Sequence, residues 1–91
     1  MIFTVEISCY PLTEDYLRVV DQFIRNMANY TDIKTITHHS STLVIGEGVE
    51  VFSALQTEIE KTFTEEGKAS FVMKVLGGDL TETVDISSYN S

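Results

Sequence analysis

Glu6, Ser8 and Tyr10 hold alternate positions in the stretch Val5-Glu6-Ile7-Ser8-Cys9-Tyr10-Pro11-Leu12, which ends at the chain's single proline. A strand there sets a carboxylate, a hydroxyl and a phenol in one row, with Phe3, Val5, Ile7 and Cys9 forming the dry face behind it. That row supplies hydrogen-bond acceptors, a donor and an aromatic surface, which is the chemistry of recognition. A second polar pair, Ser41 and Thr42, opens the run Thr42-Leu43-Val44-Ile45, which stops at Gly46-Glu47-Gly48. The glycines precede a helix but lack the lysine and the longer spacing of a nucleotide loop, so they read as a strand-to-helix turn where a ligand can approach Gly46 closely. His38 and His39 invite a metal, yet adjacent side chains on a strand diverge, and no CxxC or HExxH spacing adds ligands. They read as solvated turn histidines, and no metal is expected. Cys9 is the lone cysteine and lies on the apolar face, so it reads as a buried small hydrophobe. No Cys–His, Ser–His or paired-carboxylate constellation indicates catalysis.

The elements that must position these groups follow from periodicity. Thr13 is placed to cap a helix with Glu14 and Asp15 in its first turn. Tyr16, Leu17, Val20, Phe23, Ile24 and Met27 then recur at helical steps as a packing stripe, ending near Asn29. The β-branched run from Asp32 to His38 and the run from Thr42 predict a hairpin across His38-His39-Ser40-Ser41. Val51, Phe52, Leu55, Ile59, Thr62 and Phe63 mark the inner stripe of a second helix, with Glu58 mainly outward and Gly67 past its end. Lys68–Leu76 is the last strand, Phe71, Met73 and Val75 facing one way and Ser70, Val72, Lys74 and Leu76 the other.

The order strand, helix, strand, strand, helix, strand predicts an α+β, ferredoxin-like βαββαβ domain over residues 1–80, followed by a polar tail over 81–91 in which Thr83–Ile86 can pair briefly with an edge. Right-handed crossovers send both helices to one face of the four-stranded antiparallel sheet. The open face is expected to carry Thr4, Glu6, Ser8, Thr42, Val44, Val72, Lys74 and Leu76, a mixture suited to another subunit or a ligand.

Composition narrows the function. A net charge of −8 opposes a phosphate-backbone partner and is compatible with a cationic small molecule. The strands lack the basic and aromatic pattern of an RNA-recognition module, and the loop after the first strand lacks the arginine of an acylphosphatase. No run of eighteen apolar residues and no signal-peptide pattern occurs, so a soluble, cytoplasmic protein is expected.

The segments VEISCYPL (Val5–Leu12), STLVIGEG (Ser41–Gly48) and FVMKVLGGDL (Phe71–Leu80), in this order and spacing, resemble the YkoF-like and related small thiamine-binding proteins over roughly residues 2 to 80. The resemblance implies a non-catalytic protein that binds thiamine or its hydroxymethylpyrimidine part, without a further cofactor. It also implies association as a homodimer or higher oligomer, and a link to vitamin uptake that includes association with a transporter. It covers Tyr10, Ser41, Thr42, Val44 and Gly46; strand alternation adds Glu6 and Ser8. In this reading Glu6, Ser8, Ser41 and Thr42 hydrogen-bond the pyrimidine edge, while Tyr10 and Val44 supply packing. Glu6 has a second reading, an ion pair with Lys74 across adjacent strands. Two other functions stay open: an oligomerisation or regulatory module whose open sheet face is consumed by subunit contact, and an enzyme like the dimeric cofactor-free oxygenases with His38 or His39 as base.

Overall fold

The computed structural model describes residues 1–81. The Thr83–Ile86 pairing lies outside the described residues. The elements are β1 (Ile2–Pro11), α1 (Tyr16–Ala28), β2 (Lys34–Thr37), β3 (Thr42–Glu47), α2 (Gly48–Glu66) and β4 (Ala69–Gly77). They form a four-stranded antiparallel sheet in the order β2-β3-β1-β4 with two helices, the α+β ferredoxin-like arrangement.

Register decides which side chains share a face. Val5 pairs with Val44 and Val75, and Ile7 with Thr42 and Met73, so these residues lie on the helix side. Glu6 pairs with Leu43 and Lys74, and these face away from the helices. The expectation that Thr42 and Val44 belong to the open face is therefore corrected by one residue of register, which exchanges the faces of a strand. Val44 is fully buried in the core with Val5, Ile7, Phe23, Met27, Val51, Ala54 and Leu55.

Both helices turn a narrower stripe inward than periodicity predicts. In α1 the buried residues are Val19, Phe23 and Met27, while Tyr16 and Leu17 are exposed and Val20 and Ile24 half-buried. Thr13 does not cap this helix: the cap position is Asp15, without a side-chain bond, and the Thr13 hydroxyl has no partner among the described residues. In α2 the buried set is Val51, Ala54, Leu55, Glu58 and Thr62. Phe52 and Phe63 lie at its margins and meet Phe3 and Phe71 edge-on at 5.8 and 5.7 Å. Glu58, expected to face solvent, is buried and accepts a 2.8 Å bond from the Tyr30 hydroxyl. That bond to a carboxylate holds the phenol above its usual range.

The strand-to-helix turn is absent. β3 runs through Gly46 and Glu47, and α2 begins at Gly48. A Cβ at Gly46 would stand 3.0 Å from the Ile33 side chain, so this glycine serves close packing, and at Gly48 a Cβ would meet the Phe3 ring at 3.2 Å. After β4, Gly78 takes φ +87° and turns the chain across the open face. The Thr4 hydroxyl donates to the Gly78 carbonyl at 2.7 Å and accepts from the Leu80 amide at 3.0 Å, which leaves Thr4 fully buried on the face that the helices do not cover.

Candidate functional site

The site arises from a mismatch in strand length. β1 pairs with β3 only as far as Ile7–Thr42, whereas its pairing with β4 continues through Ser8, Cys9 and Tyr10 to Pro11–Ala69. Residues 8–11 therefore have a ladder partner on one side only. The other side opens into a cavity of about 360 Å³, roofed by the first half of α1 and closed by the β2–β3 turn.

Ile7, Cys9, Pro11, Val20, Phe23 and Ile24 make its apolar walls. Tyr10 and Tyr16, each about half exposed, stand at the rim with Leu17. Ser8, His38, His39, Ser40, Ser41 and Thr42 line its other end, where the Thr42 side chain is on the helix side while the Ser8 and Ser41 hydroxyls are given to the Ser40 carbonyl and the Glu6 carboxylate. The turn is closed by the His38 amide donating to the Ser41 carbonyl at 2.8 Å, and the Thr37 and Thr42 hydroxyls lie 3.3 Å apart. Burial pushes the Cys9 thiol up to about 11, so the sulfur in this wall is protonated and unreactive at neutral pH. Together the groups give a half-open apolar slot with polar residues at one end and two tyrosines among the residues at its rim. Such a slot suits a flat heterocycle that carries polar atoms at one edge.

Of the residues singled out in the sequence, Ser8, Tyr10, Ser41 and Thr42 meet here. Glu6 does not line the cavity: it lies on the opposite sheet face, where its carboxylate accepts from the Ser41 hydroxyl at 3.3 Å and stands 3.8 Å from the Lys74 ammonium. Val44 is sealed in the core, and Gly46 lines a separate groove with Asp32, Ile33 and Asp79. The cavity is thus on the helix side, because the register that pairs Ile7 with Thr42 sends Thr42 there.

Sequence reasoning missed Tyr16, Leu17, Val20 and Ile24, which looked like packing, and the wall formed by His38, His39 and Ser40. A signal was present: the α1 stripe is wider than a helix needs to cover one sheet. The histidines are exposed turn residues, as expected, but they border the cavity. With Cys9 they are its metal-capable groups, and no set of three or more His, Cys, Asp or Glu able to hold an ion occurs among the described residues. No helix among these residues is long and apolar enough to cross a membrane.

Comparison with known proteins matches this architecture. A Streptococcus pneumoniae protein of known structure superposes with a TM-score of 0.80 at 17% identity, covering 100% of both chains. A Thermotoga maritima protein, described provisionally as a thiamine biosynthesis/salvage protein, gives 0.76 at 17% identity over 99% of this chain and 97% of its own. A Methanocaldococcus jannascii protein described as hypothetical gives 0.74 at 18% identity over 98% and 93%. At these identities the likeness is one of fold. No curated protein sequence is a significant match. The model of the YKOF-related family matches residues 2–76, nearly the whole of the ferredoxin-like domain, and the chain belongs to that family.

Proposed function

We propose that this protein binds thiamine or its hydroxymethylpyrimidine part, without chemical turnover, in the cavity between α1, the end of β1 and the β2–β3 turn, in support of uptake or handling of the vitamin. The observation that carries the reading is the division of that cavity into apolar walls, a polar end at His38, His39 and Thr42, and a rim with Tyr10 and Tyr16. Its volume of about 360 Å³ falls within the range of about 300–1,000 Å³ typical of small-molecule sites. An aminopyrimidine presents an amine donor beside ring-nitrogen acceptors, and hydroxyls serve both roles. A thiazolium presents a flat cation, for which a tyrosine face is a suitable partner. The chain's charge of −8 favours the approach of a cation. Family membership and the description of the Thermotoga maritima protein support the same ligand class.

Calorimetry with thiamine and with hydroxymethylpyrimidine tests the reading. Saturable heat is expected from both, and its absence at millimolar ligand sinks the proposal. Thr42→Val keeps the shape and removes the hydroxyl, and is expected to weaken the pyrimidine more than it alters folding.

The same reading includes self-association through the open sheet face, on which Val72 is 60% exposed and the Glu6 and Lys74 charges lie side by side. Under a two-fold axis each charge can meet its opposite on the second copy. Light scattering over a hundredfold concentration range is expected to show an oligomer, and a monomer throughout refutes this part.

A further inference from the structure

We propose that Glu6 and Ser8 are positioning residues for this cavity: from β1 they clamp the turn His38–Ser41 that forms its polar end, and they do so without contacting the ligand. The clamp is a property of the free protein. Its consequence for affinity rests on the binding function proposed above.

The backbone ladder between β1 and β3 stops at Ile7–Thr42, immediately before this turn. Beyond that point side chains take over. The Ser8 hydroxyl donates to the Ser40 carbonyl at 2.8 Å, and the Ser41 hydroxyl donates to Glu6 Oε2 at 3.3 Å. The other carboxylate oxygen, Oε1, faces the Lys74 ammonium at 3.8 Å, so the two oxygens of Glu6 have different partners. Lys74 is the direct cross-strand neighbour of Glu6 on β4, and through it the turn is tied to both strands that flank β1.

The turn needs such ties. His38, His39 and Ser40 are all exposed, and one backbone bond, from the His38 amide to the Ser41 carbonyl, closes it. A segment with few buried contacts opens at low free-energy cost unless polar side chains restrain it. Ser8 has one hydroxyl proton, already given to Ser40, and the Glu6 carboxylate accepts from Ser41 on the opposite sheet face, so neither group is available to a pyrimidine in the slot. Their effect on a ligand is to keep His38, His39 and Ser41 in the wall.

Hydrogen exchange at the His38 amide of the ligand-free protein, whose bond to the Ser41 carbonyl closes the turn, measured with thiamine calorimetry on the same variants, tests the proposal. In Ser8→Ala and Glu6→Ala exchange in the turn is expected to rise about 3- to 10-fold, the range set by losing one ordinary hydrogen bond. Amides of α2 should be unchanged, and Ser8→Thr and Glu6→Gln, which keep the donor and the acceptor, should stay near the parent. Thiamine affinity is expected to fall by a similar factor through faster dissociation. Unchanged exchange in the alanine variants overturns the clamp, whatever happens to binding. Faster exchange with unchanged thiamine affinity overturns the positioning role. If the parent protein fails to bind thiamine, the binding function falls, and the exchange comparison still decides the clamp.

Discussion

Tyr16 offers a direct measure of whether the cavity reads charge or shape. It begins α1 at the mouth of the slot and is 52% exposed, so it is accessible to an incoming cation. Replacing it with alanine removes little packing from the free protein, and alanine is the better helix former in the first turn. A cation over a tyrosine face is worth about 0.5 kcal/mol when exposed and about 2 kcal/mol when desolvated, which corresponds to about a 2- to 30-fold change in Kd. A half-open site lies between these limits, so Tyr16→Ala is expected to weaken thiamine by about 5- to 10-fold. Hydroxymethylpyrimidine carries no permanent charge and should lose distinctly less, and Tyr16→Phe should retain most of the affinity for both. Calorimetry of the two ligands against the three proteins gives the comparison, with thermal unfolding of each variant to confirm an intact fold. Equal losses for the two ligands refute the cation–aromatic argument, and no loss for either removes Tyr16 from the site.

Tyr30→Phe leaves Oε2 of the buried Glu58 carboxylate without its donor, and is expected to cost about 1–3 kcal/mol in urea unfolding; no change would mean that the pair contributes nothing. Because the folded Tyr30 phenol titrates above its unfolded value, its contribution is complete below about pH 10 and is lost as pH rises through the folded value. Alkaline unfolding should therefore set in earlier for the parent relative to its neutral-pH stability than for Tyr30→Phe. Cys9, pushed up to about 11, should react slowly with a disulfide reagent at pH 8 and about tenfold faster per pH unit until that value, and bound thiamine should slow it further; rapid labelling of the native protein at pH 8 refutes the burial argument. Thr4→Val keeps the shape under the chain segment that crosses the open face and removes both bonds to Gly78 and Leu80, with an expected loss of about 1–3 kcal/mol by urea unfolding. An unchanged midpoint would mean that the segment is held by other contacts.

The elements and their order were legible because each carries a local signal. The alternation from Phe3 to Tyr10, the glycine at 67 with φ +77°, and the break at His38–Ser41 correspond to β1, the end of α2 and the hairpin turn. Family resemblance was legible for the same reason, since its motifs lie on β1, β3 and β4 and run through their C-terminal ends. Boundaries where two signals compete were not: Thr13 looks like a cap, but Asp15 takes that position, and Gly46 looks like a turn but is a close-packed strand residue.

What the sequence by itself determined is the chemistry available and the fold that carries it: an acidic chain with one polar row on its first strand, a Ser-Thr pair opening its third, and six elements in ferredoxin-like order. Which of those groups share a space was decided by the tertiary structure. Strand pairing is a non-local event, and its register, Ile7 with Thr42, sends Thr42 and Val44 to the helix side while Glu6 stays on the open face. A shift of one residue would exchange those places, because side chains on a strand alternate. The cavity itself comes from β1 outrunning β3, a relation between two strands separated by a helix and a hairpin arm, which no local pattern in either strand contains.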